Sequence, residues 1–399
     1  MKVVIVADHH YFEDEDGIVY VPSVYDYSYW KRYVDVFEEI TVVCRGNRQI
    51  SFDKSKMIVA SGPRVRFSFI YDFSGIKDLA LHWFAVKRQM RCHLSDCDCA
   101  IIRVPSPLSQ FAIKEVLRSN KVFACEVAAD PAENYNTVPF SRLVKAVMYN
   151  HCREACLKAN GVSYVTKESL QQRYPSHARL FGETNERFES YSSNANLSAC
   201  FFENRKSYAA LADKPFRLLH VANVIDGEAK GHYVCLRILS ELKDRGIDAT
   251  ITFVGDGPEI PWLQKTATEY GCIDRVTFVG RLACTEDLMS AYLASDLVLL
   301  PSMTEGLPRC LIEAMACGVV CLASNVGGIP ELLPEDCLFD WQDYVGFADK
   351  IARLCVDRTA LEVLGARNAL TAQQYSAEKL QMKRNEFYGK LRACCEVKI

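Results

Sequence analysis

Two carboxylates, Glu305 and Glu313, flank a short turn in the C-terminal third of the chain. Asp296 and the apolar residues 297–300 precede this turn and are typical of a buried parallel strand, and helical spacing follows it. Backbone N–H groups of Gly306 and Leu307 at such a helix start would bind a phosphate. A carboxylate repels phosphate and suits sugar hydroxyls, and ligands bind at this edge of an α/β sheet. The pattern therefore predicts a nucleotide-sugar ligand.

The same spacing has a second interpretation. A helix that begins with an acidic first turn and carries Glu313 on its solvent face would place Glu305 and Glu313 in the same way. On spacing alone the two interpretations are equally good, because short motifs match by chance. The surrounding elements must decide between them.

The composition is that of a globular α/β protein with room for two domains. The chain has 399 residues, of which 49% are apolar and 24% charged. A formal net charge of −3 gives no electrostatic reason to expect nucleic acid as a partner. No apolar run approaches the length of a membrane span, and residues 1–8 predict a first buried strand rather than a signal peptide.

The eighteen cysteines are scattered through apolar strand and helix positions. This distribution is typical of free thiols in a reducing compartment, so we expect a cytoplasmic protein. Cys92, Cys97 and Cys99 lie close together, but their spacing matches no zinc pattern, and we predict a structural role and no metal.

Strand and helix patterns alternate regularly from Arg217 onward, which predicts a parallel doubly wound sheet. The first half is also α/β, although residues 11–35 are acidic and aromatic and predict long loops plus one helix. Residues 183–211, rich in Asn and Ser, predict the connection between the halves. We therefore predict domains at 1–200 and 201–375, and a C-terminal helix at 376–399 that returns to the first domain.

Five motifs in order carry a resemblance to a known family. They are Lys230-Gly231-His232, Val254-Gly255-Asp256-Gly257-Pro258-Glu259, Phe278-Val279-Gly280, the run from Glu305 to Glu313, and Gly327-Gly328-Ile329-Pro330-Glu331-Leu332-Leu333. In this arrangement the chain resembles the retaining nucleotide-sugar glycosyltransferases of family four. That family has the GT-B architecture, in which two Rossmann-like doubly wound domains face a cleft. The order and spacing of the motifs favour the ligand-binding interpretation of Glu305 and Glu313 over the capped helix.

The resemblance implies that the C-terminal domain binds the donor. By analogy Glu305 contacts donor-sugar hydroxyls, Glu313 contacts the ribose, and Lys230 neutralises the diphosphate together with the N–H groups of Gly306 and Leu307. A lysine and a helix terminus can stabilise the leaving diphosphate without a metal, so we expect no cofactor. The remaining donor-binding candidates are residues in the loops that follow neighbouring strands: Asn223, Gly255 and Arg281.

One departure from the family pattern concerns the phosphate site. Family members carry an arginine or serine shortly before the lysine, whereas residues 223–229 here contain no cation. Arg103, at the end of a predicted strand in the other domain, is the candidate replacement, because an arginine at a strand's carboxyl edge can clamp a phosphate. A surface ion pair explains Arg103 equally well.

Acceptor-side candidates lie in the first domain. Glu126 ends a predicted strand and Asp130 follows it, as in an acidic run of some polysaccharide-directed members of the family. Either carboxylate could polarise an acceptor hydroxyl, although Asp130 before Pro131 could also cap a turn. Residues 8–12, which include His9 and His10, replace the family's glycine-rich loop. We expect His9 to line the cleft and to bind no metal, since the side chains of two adjacent histidines on a strand point apart.

The resemblance implies a retaining glycosyltransferase that moves a sugar from a nucleotide-sugar to a hydroxyl of a glycan or lipid-linked saccharide, in cell-surface polysaccharide synthesis. A nucleotide-sugar epimerase of the same fold and a non-catalytic partner subunit are the alternatives. The aromatic and basic residues 79–91 have helical spacing. They could rest on the inner face of an anionic membrane, or form an ordinary helix packed on the N-terminal sheet.

Overall fold

Strands and helices alternate through both halves of the computed structural model, which describes residues 1–22, 25–48, 52–131, 141–195, 197–209, 215–282 and 284–398. The chain divides into two compact units. The N-terminal unit consists of Met1–Ser192 and Gln381–Ile399, and the C-terminal unit of Ser193–Leu380. The last helix of the chain thus belongs mainly to the first unit.

The N-terminal unit contains nine described strands: β1 (Lys2–Glu13), β2 (Val19–Val21), β3 (Glu39–Arg48), β4 (Ile58–Val59), β5 (Val65–Ile70), β6 (Cys99–Val104), β7 (Val122–Val127), β8 (Gly161–Tyr164) and β9 (Phe188–Tyr191). Its described helices are α1 (Tyr27–Lys31), α2 (Gly75–Leu81), α3 (Trp83–Ser95), α4 (Pro107–Arg118), α5 (Ser141–Lys158), α6 (Ser169–Arg173) and α7 (His177–Phe181).

The parallel strands of this unit lie in the order β5-β3-β1-β6-β7-β8-β9. From β1 the chain builds one side of the sheet through β3 and β5, and then returns to build the other side from β6. The order therefore reverses between β1 and β6. The register of β1 against β3 shifts between Val6 and His10, so residues 7–9 form an irregularity at this point.

The predicted first strand and the strands predicted to end near Arg103 and Glu126 are confirmed as β1, β6 and β7, but residues 11–35 differ from the prediction. β1 runs on to Glu13, and β2 pairs with it antiparallel, so part of the predicted loop is sheet. Aromatic residues that suggested an irregular segment are core residues here: Tyr11, Trp30 and Tyr33 are fully buried. β9 also lies inside the predicted connection at residues 183–211, of which positions 196, 210 and 211 fall outside the described residues.

The described strands of the C-terminal unit are β10 (Phe216–Val224), β11 (Ala249–Asp256), β12 (Val276–Phe278), β13 (Leu297–Leu300), β14 (Val320–Ser324) and β15 (Leu338–Phe339). Its described helices are α8 (Cys200–Glu203), α9 (His232–Asp244), α10 (Ile260–Glu269), α11 (Thr285–Ala294), α12 (Arg309–Ala316), α13 (Tyr344–Val356) and α14 (Arg358–Ala372). The helix α15 (Ala377–Lys398) follows.

The C-terminal sheet is parallel and has the order β12-β11-β10-β13-β14-β15. Here the order reverses between β10 and β13. The central strand β13 is buried along its whole length, as its unbroken Leu-Val-Leu-Leu run predicts for a sheet covered by helices on both faces. The predicted parallel doubly wound sheet is confirmed.

All eighteen cysteines are free thiols, and most of them are buried. In the described part of the chain, no helix is both long enough and apolar enough to cross a membrane.

Candidate functional site

Lys230 and Glu305 meet at the point where the strand order of the C-terminal sheet reverses. Lys230 follows β10 and Glu305 follows β13, its neighbour in the sheet. The Lys230 Nζ lies 2.7 Å from Glu305 Oε1. In open α/β sheets the loops diverge at such a reversal and leave a crevice at the carboxyl ends of the strands, where ligands bind. The sequence motifs thus converge on the place that the topology favours.

Backbone contacts hold the two loops against each other. The N–H of Met303 donates to the carbonyl of Ala229 at 2.9 Å. Gly231 has φ of 73°, and a Cβ there would lie 1.9 Å from the carbonyl oxygen of Pro301. Only glycine combines this backbone conformation with this close approach. The glycine after Lys230 therefore allows the lysine to reach the loop of Glu305.

The loop that contains Gly327 and Gly328 packs against the backbone of Glu305 and Gly306. The N–H of Gly328 donates to the carbonyl of Gly306 at 2.7 Å, and a Cβ at Gly327 would lie 1.7 Å from the carbonyl oxygen of Glu305. The paired glycines of the fifth motif thus pack on the backbone of the fourth.

The sequence did not single out Ser302, which orients Glu305. The Ser302 hydroxyl donates to Glu305 Oε1 at 2.8 Å, and the Ser324 hydroxyl donates to the Ser302 carbonyl at 2.5 Å. Both serines are fully buried. Two hydrogen bonds therefore connect the end of β14 to the carboxylate of Glu305, and this carboxylate is held in one position.

The helices that start at this crevice have no side-chain cap. The N-cap residue of α12 is Pro308, and that of α9 is Gly231, and neither offers a side-chain acceptor. Their first N–H groups have no partner within the helix, and they carry the positive end of the helix dipole. Beside Lys230, Gly306 and Leu307, this arrangement can bind a doubly charged diphosphate.

Glu313 lies on the inner side of α12. Only 8% of the residue is exposed, its Oε2 accepts a hydrogen bond from the Tyr292 hydroxyl at 3.0 Å, and Arg309 Nη2 lies 3.4 Å from Oε1. This burial excludes the alternative in which Glu313 occupies a solvent face. Tyr292 comes from α11, and no spacing in the sequence linked it to Glu313.

The three remaining donor-side candidates line the neighbouring loops. Gly255 has φ of 137° and donates its N–H to the carbonyl of Gly280 at 2.9 Å, so it joins the loops after β11 and β12. Asn223 and Arg281 are exposed at the ends of β10 and β12. Both are accessible to a ligand, and their donor-binding role stays a prediction.

Two buried histidines lie beneath the crevice and were not predicted as a pair. The rings of His220 and His232 are 4.6 Å apart, and His220 Nδ1 contacts the carbonyl of Leu299 at 2.9 Å. Burial and, to a smaller extent, the nearby charge of Lys230 lower the pKa of His220 to about 4 and that of His232 to about 2. Both rings are therefore neutral at physiological pH.

Glu126 in the N-terminal unit is the centre of a buried network. Its carboxylate accepts hydrogen bonds from the hydroxyls of Tyr33, at 2.9 and 3.0 Å, and Tyr388, at 2.5 Å. Arg32 and Arg103 lie 3.7 and 3.9 Å away. Burial raises the pKa of Glu126, but the two arginines and the two hydroxyls outweigh it and hold that pKa below its usual value. The carboxylate is charged and ties α15 to the sheet.

Asp130 is also engaged within its own unit. It is 4% exposed, its Oδ1 accepts a hydrogen bond from the Tyr174 hydroxyl, and its Oδ2 pairs with Arg173 at 2.5 Å. Contact of Glu126 or Asp130 with an acceptor stays a prediction. To make this contact, either carboxylate would have to give up a hydrogen bond or an ion pair within its own unit.

His9 and Arg103 lie together at the reversal between β1 and β6. His9 stacks on Tyr25 with ring centroids 3.8 Å apart. Burial, and then the charges of Arg103 and Arg45, lower the pKa of His9 to about 3. His9 is therefore a neutral ring beside a buried cation. Among the described residues, no group of three His, Cys, Asp or Glu side chains is placed to hold a metal ion.

Comparison with known proteins finds a family match within the C-terminal unit. Residues 215–357 match the family described as Glycosyl transferases group 1. Protein CapJ of Staphylococcus aureus is 26% identical over 97% of this chain and 94% of its own length. The N-acetyl-alpha-D-glucosaminyl L-malate synthase of Bacillus anthracis is 34% identical over 36% of this chain and 38% of its own.

Solved structures match over nearly the whole chain. Sucrose-phosphate synthase from Thermosynechococcus elongatus superimposes with a TM-score of 0.70 at 18% identity, covering 98% of this chain and 99% of its own. HepE from Anabaena, solved with UDP and glucose, has a TM-score of 0.66 at 15% identity and covers 97% and 98%. The predicted GT-B fold and the predicted resemblance are confirmed.

Proposed function

Because this protein is a glycosyltransferase with the GT-B fold, we propose that it transfers a sugar from a nucleotide-sugar to a hydroxyl of a glycan or lipid-linked saccharide, with retention at the anomeric carbon. The observation that carries the proposal is the pairing of Lys230 with Glu305 at the strand reversal of the C-terminal sheet. There a cation and uncapped helix termini adjoin a carboxylate that suits sugar hydroxyls.

Lys230 acts on the leaving group in this proposal. Its ammonium has three donors and the side chain is 38% exposed, so the ammonium can stay paired with Glu305 and also contact a diphosphate. As the bond to the sugar breaks, negative charge grows on the phosphate, and the fixed ammonium and helix N–H groups stabilise that charge. These groups supply the positive potential that a divalent ion supplies elsewhere, which supports a reaction without metal.

Glu305 and Glu313 position the donor. Ser302 holds the Glu305 carboxylate, and its remaining lone pairs can accept hydrogen bonds from sugar hydroxyls. Tyr292 holds Glu313 in the same way, and a ribose with two neighbouring hydroxyls suits that carboxylate. Retention is supported by the family resemblance, in which the acceptor attacks on the leaving-group side and the departing phosphate takes its proton.

A peripheral membrane contact is the second part of the proposal. Three apolar side chains of α2 and α3 point to solvent: Ile76 is 55%, Leu81 81% and Phe84 83% exposed. Val86 and Met90 occupy the buried face of α3, so packing on the sheet and an outward apolar face coexist. Lys87 and Arg88 accompany the exposed residues, and such a face suits an anionic membrane that carries a lipid-linked acceptor. The eighteen free thiols support a cytoplasmic reaction.

A donor panel tests the proposal. The purified chain is mixed with UDP-, GDP-, ADP- and CMP-activated sugars, and binding is read as a thermal shift and turnover as release of the nucleotide. We expect one donor to bind and to release its nucleotide when an acceptor is added. Glu305→Ala should lose that turnover, whereas Glu269→Ala, an exposed carboxylate of α10 paired with Lys265, should keep it.

The outcomes separate the alternatives. Conversion of the donor without acceptor, with an isomerised sugar as product, would favour the epimerase. Absence of binding and turnover across the panel would contradict the proposal and favour the non-catalytic subunit.

A further inference from the structure

The strand order of the N-terminal sheet reverses between β1 and β6, and Arg103 and His9 lie at this reversal. Arg103 is the penultimate residue of β6, and His9 falls in the irregular part of β1. Ligands bind at the carboxyl edge of an open α/β sheet where its strand order reverses. The N-terminal unit thus has a strand reversal of its own, at which a ligand can bind.

Arg103 is buried without the hydrogen bonds that a guanidinium needs. Only 6% of the residue is exposed, and Nη1 is buried with no hydrogen-bond partner among the described residues. Its contacts are one ion pair at 3.9 Å to Glu126 and two rings, Tyr25 and Tyr29, whose centroids lie 5.1 Å from the guanidinium carbon. A guanidinium has five N–H donors, and burying them unpaired is unfavourable.

Glu126 does not need Arg103. The hydroxyls of Tyr33 and Tyr388 already donate to its oxygens, and Arg32 lies closer to it than Arg103 does. Arg32 Nε is likewise buried without a hydrogen-bond partner among the described residues. Arg32 Nη2, however, donates to the hydroxyls of Tyr29 and Tyr33. Because the carboxylate is satisfied without Arg103, the charge and the planar donors of Arg103 are available for an anion.

The helix that starts at this edge offers no competing anion site. The Ser106 hydroxyl accepts from the Ser109 N–H in a capping box at the start of α4, and Asp8 accepts from the Leu108 N–H at 3.3 Å. Asp8 is in turn paired with Arg45 at 2.5 Å. Since the helix terminus is occupied by the chain's own side chains, Arg103 remains the group that can bind an external anion.

His9 adds a neutral polar group beside this cation. It is partly exposed, stacked on Tyr25, and uncharged near neutral pH, so it can exchange a hydrogen bond with a hydroxyl without repelling Arg103. A cation, an aromatic face and a neutral donor together suit a sugar that carries an oxyanion.

We propose that Arg103, supported by Arg32 and His9, binds an oxyanion carried by the acceptor, either the carboxylate of an acidic sugar or the phosphate of a phosphorylated carrier. This proposal rests on the proposed function, because it takes the oxyanion to be part of the sugar acceptor. Arginine suits both groups, because its planar guanidinium can donate two parallel hydrogen bonds to two oxygens of a carboxylate or of a phosphate.

Titration calorimetry of the full chain tests the proposal. The probes are glucuronate, methyl phosphate, neutral glucose, and the nucleoside diphosphate that binds best. We expect glucuronate or methyl phosphate to bind and glucose not to bind. Arg103→Gln should weaken that binding about tenfold or more, as expected for charge-assisted hydrogen bonds. Which of the two anions binds identifies the source of the oxyanion.

Two control variants accompany the test. Arg66→Gln removes an exposed arginine of the same unit that pairs with Glu39, and should leave oxyanion binding unchanged. Arg103→Lys keeps the positive charge but loses the paired hydrogen-bond donors of the guanidinium. This variant should bind the oxyanion more weakly than the unmodified chain. Because Glu126 keeps Arg32, Tyr33 and Tyr388, we expect Arg103→Gln to fold, with a melting temperature near that of the unmodified chain.

Binding of neither anion, or equal binding by Arg103→Gln, would overturn the proposal. Loss of nucleoside diphosphate binding in Arg103→Gln would also overturn it, because the arginine would then serve the donor. Failure of the proposed function has a different signature, since the unmodified chain would then bind no nucleoside diphosphate in the separate arm of the titration.

Discussion

The two units contain the same topological feature with opposite chemistry. In the C-terminal unit, the helices at the strand reversal have uncapped N-termini, and the cation Lys230 pairs with a carboxylate beside them. In the N-terminal unit, α4 is capped by Ser106 and Asp8, and the buried cation Arg103 lacks hydrogen-bond partners at Nη1. Free helix termini favour a diphosphate, whereas a guanidinium favours a single oxyanion. In both units the proposed site lies where the strand order reverses, and we propose that the capping residues decide what each site binds.

Glu305 and Glu126, the carboxylates near the two strand reversals, differ in the partners that hold them. Glu305 is held by a neighbouring serine and by a lysine that a ligand can share. Glu126 is held by tyrosines from two distant segments, and it links α15 to the sheet. A carboxylate at a strand end can therefore serve a ligand or the fold, and its partners distinguish the two.

The largest effect that we predict concerns Glu126. Glu126→Ala removes the charge that faces Arg32 and Arg103, and should lower the free energy of unfolding by about 3–5 kcal/mol, as for other broken buried pairs. Chemical denaturation measures this loss. Glu154→Ala, which breaks an exposed pair with Lys158, should cost at most about 1 kcal/mol. Unchanged stability with lost transfer would support the acceptor-side role predicted from the sequence.

Lys230→Ala removes the lysine that pairs with Glu305. Removing the ammonium should lower kcat/KM about 10²- to 10³-fold, because a fixed charge at the developing anion is lost. Steady-state release of the nucleotide measures the effect. The matched control is Lys265→Ala, an exposed lysine of α10 that should leave the rate unchanged. A wild-type rate in Lys230→Ala would remove the main support for the diphosphate site.

The pH dependence of stability tests the buried histidines beneath the C-terminal site. In the unfolded chain a histidine binds a proton below about pH 6.5, whereas burial keeps His232 neutral down to about pH 2. Its contribution to stability is therefore complete above about pH 6.5 and decreases as the pH falls. His232→Phe should remove about 2 kcal/mol of the loss between pH 7 and pH 5, measured by denaturation at both values. An unaltered pH dependence would mean that His232 is protonated in the folded protein.

The smallest effect concerns Tyr292. Tyr292→Phe removes the hydrogen bond to Glu313 and should raise the donor KM about fivefold, about 1 kcal/mol, with little change in kcat. Tyr270→Phe removes a hydrogen bond to Tyr233 away from the carboxylates and serves as the control. A fall in kcat at constant KM would indicate that Glu313 acts on the reacting centre rather than on donor binding.

Local sequence patterns predicted which loops meet at the strand reversal of the C-terminal sheet. Lys230, Glu305 and the glycines of residues 327–328 belong to short motifs, and each motif follows a strand whose apolar run is easy to recognise. Parallel strands bring their carboxyl ends to one edge, so the motifs had to meet there once the sheet was predicted.

The parts that sequence reasoning missed depend on contacts between distant segments. The hydroxyls of Tyr33 and Tyr388 reach Glu126 from residues separated by most of the chain, and Tyr292 approaches Glu313 from a different helix. No periodicity encodes such contacts. The short strand β2 was missed because tertiary packing buries aromatic residues in a segment whose acidic composition predicted a loop.

Titration of the full chain with nucleoside diphosphates tests whether the diphosphate binds beside Lys230. We expect one of UDP, GDP or ADP to bind to the unmodified chain and to Arg103→Gln with equal affinity, and to bind to Lys230→Ala at least about tenfold more weakly. Equal binding by Lys230→Ala, or weakened binding by Arg103→Gln alone, would contradict the assignment of the diphosphate to the strand reversal of the C-terminal sheet.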